Sequence, residues 1–286
     1  MFEVLNTFTK EYVFGLIVLG EPKSSQLLRW VNVIAFIVTV LVNGLASTGV
    51  LNGKSTGEIS DKYATLVTPA GYVFAIWSVI YVLLAIFVVF QALPSQKDKA
   101  FQREVGVLFV LSSVFNCVWI FLWQYEYITS SVPLMFALLA TLIAIYLRLS
   151  IGKSDAPLKE KLAVHLPFSV YLGWITIASI ADVAAALVSA SWDGFGLDDA
   201  TWAILVIVVA LIITLLVVVT RKDIAYVLVI IWAAVGIAVK QSANQSVFTT
   251  AEISAIVVAI ALALSILFSL SKRQKAPHAE PAQKTR

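Results

Sequence analysis

Charge is what this chain most conspicuously lacks. Only 13% of its 286 residues are Asp, Glu, Lys or Arg, whereas 60% are hydrophobic. An average soluble domain is roughly 45–50% apolar and about 25% charged, so one soluble core could not use this much apolar surface. Cysteine is nearly absent as well. Cys117 stands alone inside an apolar run, which excludes an intramolecular disulfide and a cysteine-based metal site. The two histidines, His165 and His278, lie far apart in sequence and do not suggest a zinc cluster. No basic segment leads into the first apolar run, Tyr12–Leu19; Glu3 and Glu11 precede it instead. That run is too short to span and does not read as a signal peptide. We read it as an interfacial helix.

What the chain has is long apolar runs, each near the 20 residues a membrane-crossing helix needs. Eight are expected, at about 28–51, 69–93, 105–125, 131–151, 163–190, 201–220, 224–241 and 251–270. Turn residues separate them: Asn52-Gly53, Pro94-Ser95, Gly152-Lys153 and Asp193-Gly194. The expected class is an all-α polytopic bundle. Of the 20 Lys and Arg residues, only Lys54, Lys62 and Lys240 fall on one side of that arrangement; the other 17 share the opposite side with both termini. The positive-inside rule then puts both termini in the cytoplasm, in an inner (plasma) membrane. The net charge of +3 reports topology and does not suggest a nucleic-acid partner. Trp30, Trp192 and Trp202 fall near span ends, as an aromatic belt would place them. The polar, basic tail after Leu270 is expected to be disordered.

Three spans carry aromatic and polar residues at helical spacing. In the second, Phe74, Trp77 and Tyr81 are i, i+3 and i+7. In the third, Asn116, Trp119 and Trp123 repeat that spacing. In the fifth, Tyr171, Trp174, Ala178 and Asp182 share one face. Such stripes serve packing as readily as a pocket, but here three occur at matching depth. Asn116 and Asp182 add polar groups that cost free energy in hydrocarbon; an ionisable side chain there costs about 2.5–3.5 kcal/mol on insertion scales and faces a cavity or a partner. With no Lys or Arg expected at its depth, Asp182 is either protonated or hydrogen-bonded to Asn43, Asn116 or a hydroxyl. Other features have plainer readings. His165 sits at the cytoplasmic end of its helix, away from the stripes. Lys240 reads as a lysine snorkelling to the outer interface. Gly44, Ala46 and Gly49 suggest close helix packing in the first span.

At these residues the chain resembles the TspO/MBR family, the tryptophan-rich sensory or translocator proteins. The segment Pro69-Ala-Gly-Tyr-Val-Phe-Ala-Ile-Trp-Ser-Val-Ile-Tyr81 is similar to that family's second-helix signature. Asn116 and Trp119 resemble its Asn-x-x-Trp helix, and Tyr171, Trp174 and Ala178 its fifth helix. The resemblance covers about residues 28–190. The sequence departs from it in three ways. Asp182 stands where the family has Asn. The proline directly before the tyrosine is missing, the nearest being Pro167. Three further spans follow a five-helix family bundle. The implied organisation is an N-terminal segment (1–27), a five-helix core (28–192), a three-helix extension (200–271) and a tail (272–286).

The resemblance implies a non-enzymatic bundle that binds a porphyrin, haem or a sterol-like lipid in an aromatic pocket beneath the loop joining the first two spans. The site would comprise Phe74, Trp77, Tyr81, Asn116, Trp119, Trp123, Tyr171, Trp174 and Asp182. No covalent cofactor or metal is expected; partners would be membrane lipid, a small apolar ligand such as a tetrapyrrole, and further copies of the chain in a homo-oligomer. Indole and phenol rings offer faces for stacking a flat guest, and Asn52–Thr68 can act as a lid. A second reading is a proton-coupled transporter or exporter of a small solute that uses Asp182. An inverted repeat would favour it, but the stripes have no counterparts after residue 200. A porphyrin-modifying enzyme would need catalytic groups that the sequence does not offer.

Overall fold

The computed structural model describes residues 26–275. The expected interfacial helix at Tyr12–Leu19 lies outside them. In hydrocarbon every backbone N–H and C=O must be paired within the chain, so an apolar run of this length becomes a helix. Nine helices of seven residues or more organise the described residues: α1 (Gln26–Ser47), α2 (Thr56–Lys62), α3 (Ile76–Ala92), α4 (Phe101–Gln124), α5 (Ile128–Arg148), α6 (Leu166–Ser189), α7 (Asp199–Arg221), α8 (Ile224–Lys240) and α9 (Gln245–Lys275). A 3-10 turn, Gly71–Ala75, leads into α3, and a π-helical turn, Lys161–His165, leads into α6. The protein is a multi-pass helical membrane protein. Seven segments are long and apolar enough to cross a membrane. The eighth expected span, α8, has 17 residues. At 1.5 Å per residue it reaches about 25 Å, just short of the hydrocarbon thickness.

Side chains set the helix boundaries. Asp198 accepts from the Thr201 amide at 2.9 Å and starts α7. Asp223 accepts from the Ala225 and Tyr226 amides and starts α8. Lys222, between them, is left-handed at φ 56° and turns the chain sharply. The helix expected to end near Leu270 continues to Lys275, so the tail begins later than the composition suggested. His278 and the residues after it lie outside the described part.

Helix α4 packs extensively on α1 and α5, and α5 on α6. Helices α7, α8 and α9 pack on one another, and α8 also lies along α6. Two glycines permit that last contact and the one beside it. A Cβ on Gly173 would come within 3.1 Å of the Tyr226 carbonyl and the Val229 side chain. A Cβ on Gly236 would collide with Val73. In the first span the expectation of close packing fails at Gly44, where a Cβ would meet nothing within 4 Å. Ala46 is fully buried, and Gly49, at φ 75°, lies in the turn beyond α1. The entry to α3 is bonded directly to α8. The Ala70 amide donates to the Gly236 carbonyl at 3.0 Å, and Trp232 Nε1 donates to the Val73 carbonyl at 3.2 Å. The rest of the apolar surface, Ile34, Val82, Ile212 and Ile260 among others, faces outward as a lipid-facing surface would.

An aromatic pocket beneath a latched lid

The segment between α1 and α3 folds over one end of the bundle. Its helix α2 begins with a reciprocal cap: Ser55 Oγ accepts from the Glu58 amide, and Glu58 accepts from the Ser55 amide. That Ser-x-x-Glu spacing was the one signal in the sequence that could have revealed the lid helix. Several bonds hold the lid to the α4–α5 corner. Asn52 Nδ2 donates to the Gln124 carbonyl at 2.7 Å, Gln124 Nε2 donates to the Lys54 carbonyl at 2.8 Å, and Trp123 Nε1 donates to the Thr56 carbonyl at 3.3 Å. Glu126 occupies the corner in the left-handed region, at φ 62°. It accepts from Lys54 Nζ at 2.7 Å, from Tyr63 Oη at 2.9 Å and from Lys62 Nζ. Those three donors, Lys54 first, hold its carboxyl down at about 2 against some desolvation. Lys240, at the end of α8, bonds Asp61 Oδ1 at 2.6 Å. The lysine expected to snorkel is therefore a tether from the C-terminal helices to the lid.

Beneath the lid the three stripes converge. Phe74, Trp77, Trp119, Trp123, Trp174 and Asp182 line one cavity, roofed by Thr56, Ser60, Tyr63 and Thr68. Tyr81, Trp77, Trp119 and Trp123 form a continuous stack, with successive ring centroids 5.7, 6.2 and 5.8 Å apart. Trp174 meets Trp77 edge-on at 6.1 Å and Phe74 at 5.8 Å, and Tyr171 meets Trp77 at 6.1 Å. The rings nearly fill the space they enclose: the cavity holds about 40 Å³. On the other face of Phe74 and Trp77 lies a groove of about 460 Å³ between α1 and α3. It is lined by Val40, Asn43, Ser47, Gly57 and Tyr81 among others, and it shares Thr56, Phe74 and Trp77 with the cavity.

Three of the nine expected site residues do not line the aromatic cavity. Tyr81 belongs to the groove. Asn116 and Tyr171 are sealed in the packing beneath: Asn43 Nδ2 donates to Asn116 Oδ1 at 2.6 Å, and Asn116 Nδ2 donates to Tyr171 Oη at 3.1 Å. This pairing makes Asn116 a structural cross-link between α1, α4 and α6. Asp182 finds neither asparagine. It accepts from Trp119 Nε1 at 3.2 Å and lies 3.0 Å from Ser131 Oγ on α5. Ser131 was not foreseen; nothing in its own segment marks it. Its hydroxyl also lies 2.7 Å from the Ile128 carbonyl, and one proton cannot serve both acceptors. When that proton goes to Ile128, the Ser131 oxygen is free to accept from a protonated Asp182. His165 is buried at the far end of α6, away from the pocket, as expected.

One cavity-lining donor is left over. Trp174 Nε1 is buried and has no acceptor among the described residues. Buried polar groups are seldom left unpaired, and each such group calls for an explanation.

Comparison with curated proteins and with solved structures gives no match. Comparison with family descriptions matches the chain to the TSPO-like protein family over residues 29–268. The matched stretch includes the aromatic stripes, the lid and the C-terminal helices to within α9. With so much of its length matched, the chain belongs to the TSPO-like family.

Proposed function

We propose that the protein binds a flat apolar ligand, a porphyrin, haem or sterol-like lipid, between its aromatic stripes, and acts as a sensor or translocator rather than an enzyme. The unpaired Trp174 Nε1 carries this reading, because a guest that brings an acceptor into the pocket would satisfy it. The ring faces supply stacking. Pockets for drug-sized ligands hold about 300–1,000 Å³, so a porphyrin does not fit the cavity as it stands. The groove and the cavity together hold about 500 Å³, and only Phe74, Trp77 and Thr56 divide them. Turning Trp77 aside would join the two. The test is titration of the purified protein with a porphyrin, read by tryptophan fluorescence. Saturable one-to-one quenching is expected; linear, unsaturable quenching would mean partition into detergent and would overturn the reading.

The same reading places the protein in the cell's inner (plasma) membrane with both termini in the cytoplasm, on the strength of the 17-to-3 basic bias. Reporter fusions after Lys54 and Asp198 should lie outside, and fusions after Lys99 and Arg286 inside. A contrary result at any of the four would break the assigned orientation.

A second reading, proton-coupled transport of a small solute, is favoured by a single observation. Asp182 is a buried acid with no cationic partner among the described residues. The substitution Asp182→Asn separates the two readings. Its amide oxygen can accept from Trp119 and its N–H can donate to Ser131, but it cannot exchange a proton. Porphyrin affinity within about twofold of wild type (under ~0.5 kcal/mol) and little pH dependence are expected. Flux into proteoliposomes that follows a proton gradient, and vanishes in Asp182→Asn, would replace the ligand-binding reading with the transporter.

A further inference from the structure

A second cavity, of about 260 Å³, lies outside the aromatic pocket, between α6 and α7 and beside the last residues of the lid. We propose that it binds a single-chain cationic amphiphile, with the chain between α6 and α7 and the positive head at Asp193 and Asp199.

The inner wall is aliphatic. Ala184 and Val188 of α6 face Ala203 and Val206 of α7, with Leu66 of the lid across one end. At the mouth, Trp192 and Trp202 meet at 56° with centroids 5.0 Å apart. Trp202 Nε1 donates to the Gly194 carbonyl at 2.8 Å, which fixes that ring. Asp193 and Asp199 complete the lining at this level. Asp193 uses Oδ1 to accept from the Phe195 amide. Asp199 has no hydrogen-bond or ion-pair partner among the described residues, and both residues are exposed.

Charge complementarity selects the occupant. The lysines on this side of the membrane, Lys54, Lys62 and Lys240, are spent on Glu126 and Asp61. The two carboxylates at the mouth therefore face no cation among the described residues. Carboxylates and indole faces at one level attract an ammonium group, by charge and by cation–π contact. The volume lies just below the range that holds drug-sized ligands, which suits one alkyl chain and not the two of a phospholipid. A phospholipid would also set its phosphate against Asp193 and Asp199. The interfacial-belt role of Trp192 and Trp202 and the capping role of Asp198 explain their own positions. Neither explains an open cavity with Asp199 unpartnered at its mouth.

The test uses the full-length protein in a neutral maltoside and radiolabelled dodecyltrimethylammonium below its micellar concentration, by equilibrium dialysis. One saturable site is expected. The double substitution Asp193→Asn with Asp199→Asn retains the oxygen that accepts from Phe195, and it should weaken binding about fivefold or more, since exposed charge pairs contribute little each. Ala184→Leu should fill the cavity and remove the site, whereas Trp77→Ala, which alters the aromatic pocket and does not line this cavity, should leave binding of this amphiphile unchanged. Dodecanol should compete poorly. Equal binding by wild type and the double variant would overturn the proposal. So would displacement of the label by phosphatidylcholine, which would make this a lipid site, or loss of binding in Trp77→Ala, which would put the amphiphile in the aromatic pocket.

Discussion

Trp77→Ala is expected to lower porphyrin affinity by roughly five- to a hundredfold. Trp77 is the hub of the pocket: Tyr81 and Trp119 stack on it, and Tyr171 and Trp174 meet it edge-on. Stacking a flat ring on an aromatic side chain is worth about 1–3 kcal/mol per contact, by analogy with bases on aromatic platforms, and each 1.4 kcal/mol is tenfold in affinity. A competing effect runs the other way. Removing the indole merges the cavity with the groove and opens space, so a bulky guest would enter more easily. The stacking loss is expected to dominate at equilibrium, while the association rate rises. Trp174→Phe isolates the other contribution, because it keeps an aromatic face and deletes only the unpaired N–H. A loss of about fivefold there would mean that the guest accepts that hydrogen bond. Unchanged affinity in both variants, with the fold intact, would remove the aromatic pocket as the site.

Glu126→Gln is expected to loosen the lid at neutral pH. In the wild-type protein one carboxylate faces two ammonium groups and a phenol. A neutral amide keeps at most weak hydrogen bonds and leaves Lys54 and Lys62 to repel each other. Amide exchange across Thr56–Lys62 should rise on the order of tenfold, as the loss of one tenfold step in a local opening equilibrium would give. The pH dependence has a definite sign. The folded protein holds Glu126 at about 2, below the ordinary value of 4.5. Such a group stabilises the closed lid fully above about 4.5, and that stabilisation is lost as pH falls through about 2. Lid exchange in wild type, corrected for intrinsic rates, should therefore stay flat from neutral pH down to about 4.5 and rise only below it. In Glu126→Gln that acid transition should shrink to the part contributed by the Glu58 cap, whose carboxyl the Ser55 bonds also hold below its ordinary value. A transition near neutral pH in wild type would mean that some other group holds the lid.

Much of this architecture is readable from the chain because hydrocarbon leaves few choices. A long apolar run must be a helix, and seven such runs follow from length alone, with α8 just short of it. The helical phase of Phe74, Trp77, Trp119, Trp123, Trp174 and Asp182 was enough to bring them to one cavity. Phase does not say which neighbouring helix a face will meet. Asn116 shares its face with Trp119, yet Asn43 and Tyr171 satisfy both ends of its amide, and it is removed from the cavity. Tyr81 lies on the right stripe but one turn too far along, beyond the wall that Trp77 makes. Lys240 looks like an interfacial lysine because its partner, Asp61, lies 179 residues away in the chain. The Glu126 latch depends on a left-handed corner residue, which no apolar pattern reveals.

The two attachments of the lid belong to different parts of the bundle. Glu126 ties it to the α4–α5 corner, while Lys240 and Gln241, which donates to the Thr65 carbonyl at 3.4 Å, tie it to the end of α8. That same helix is bonded to the base of α3 through Gly236 and Trp232. Lid, pocket wall and C-terminal helices thus close a mechanical loop. A lid that lifts must strain α8 or part from it, so on the proposed reading a bound ligand would be felt by helices that never touch it.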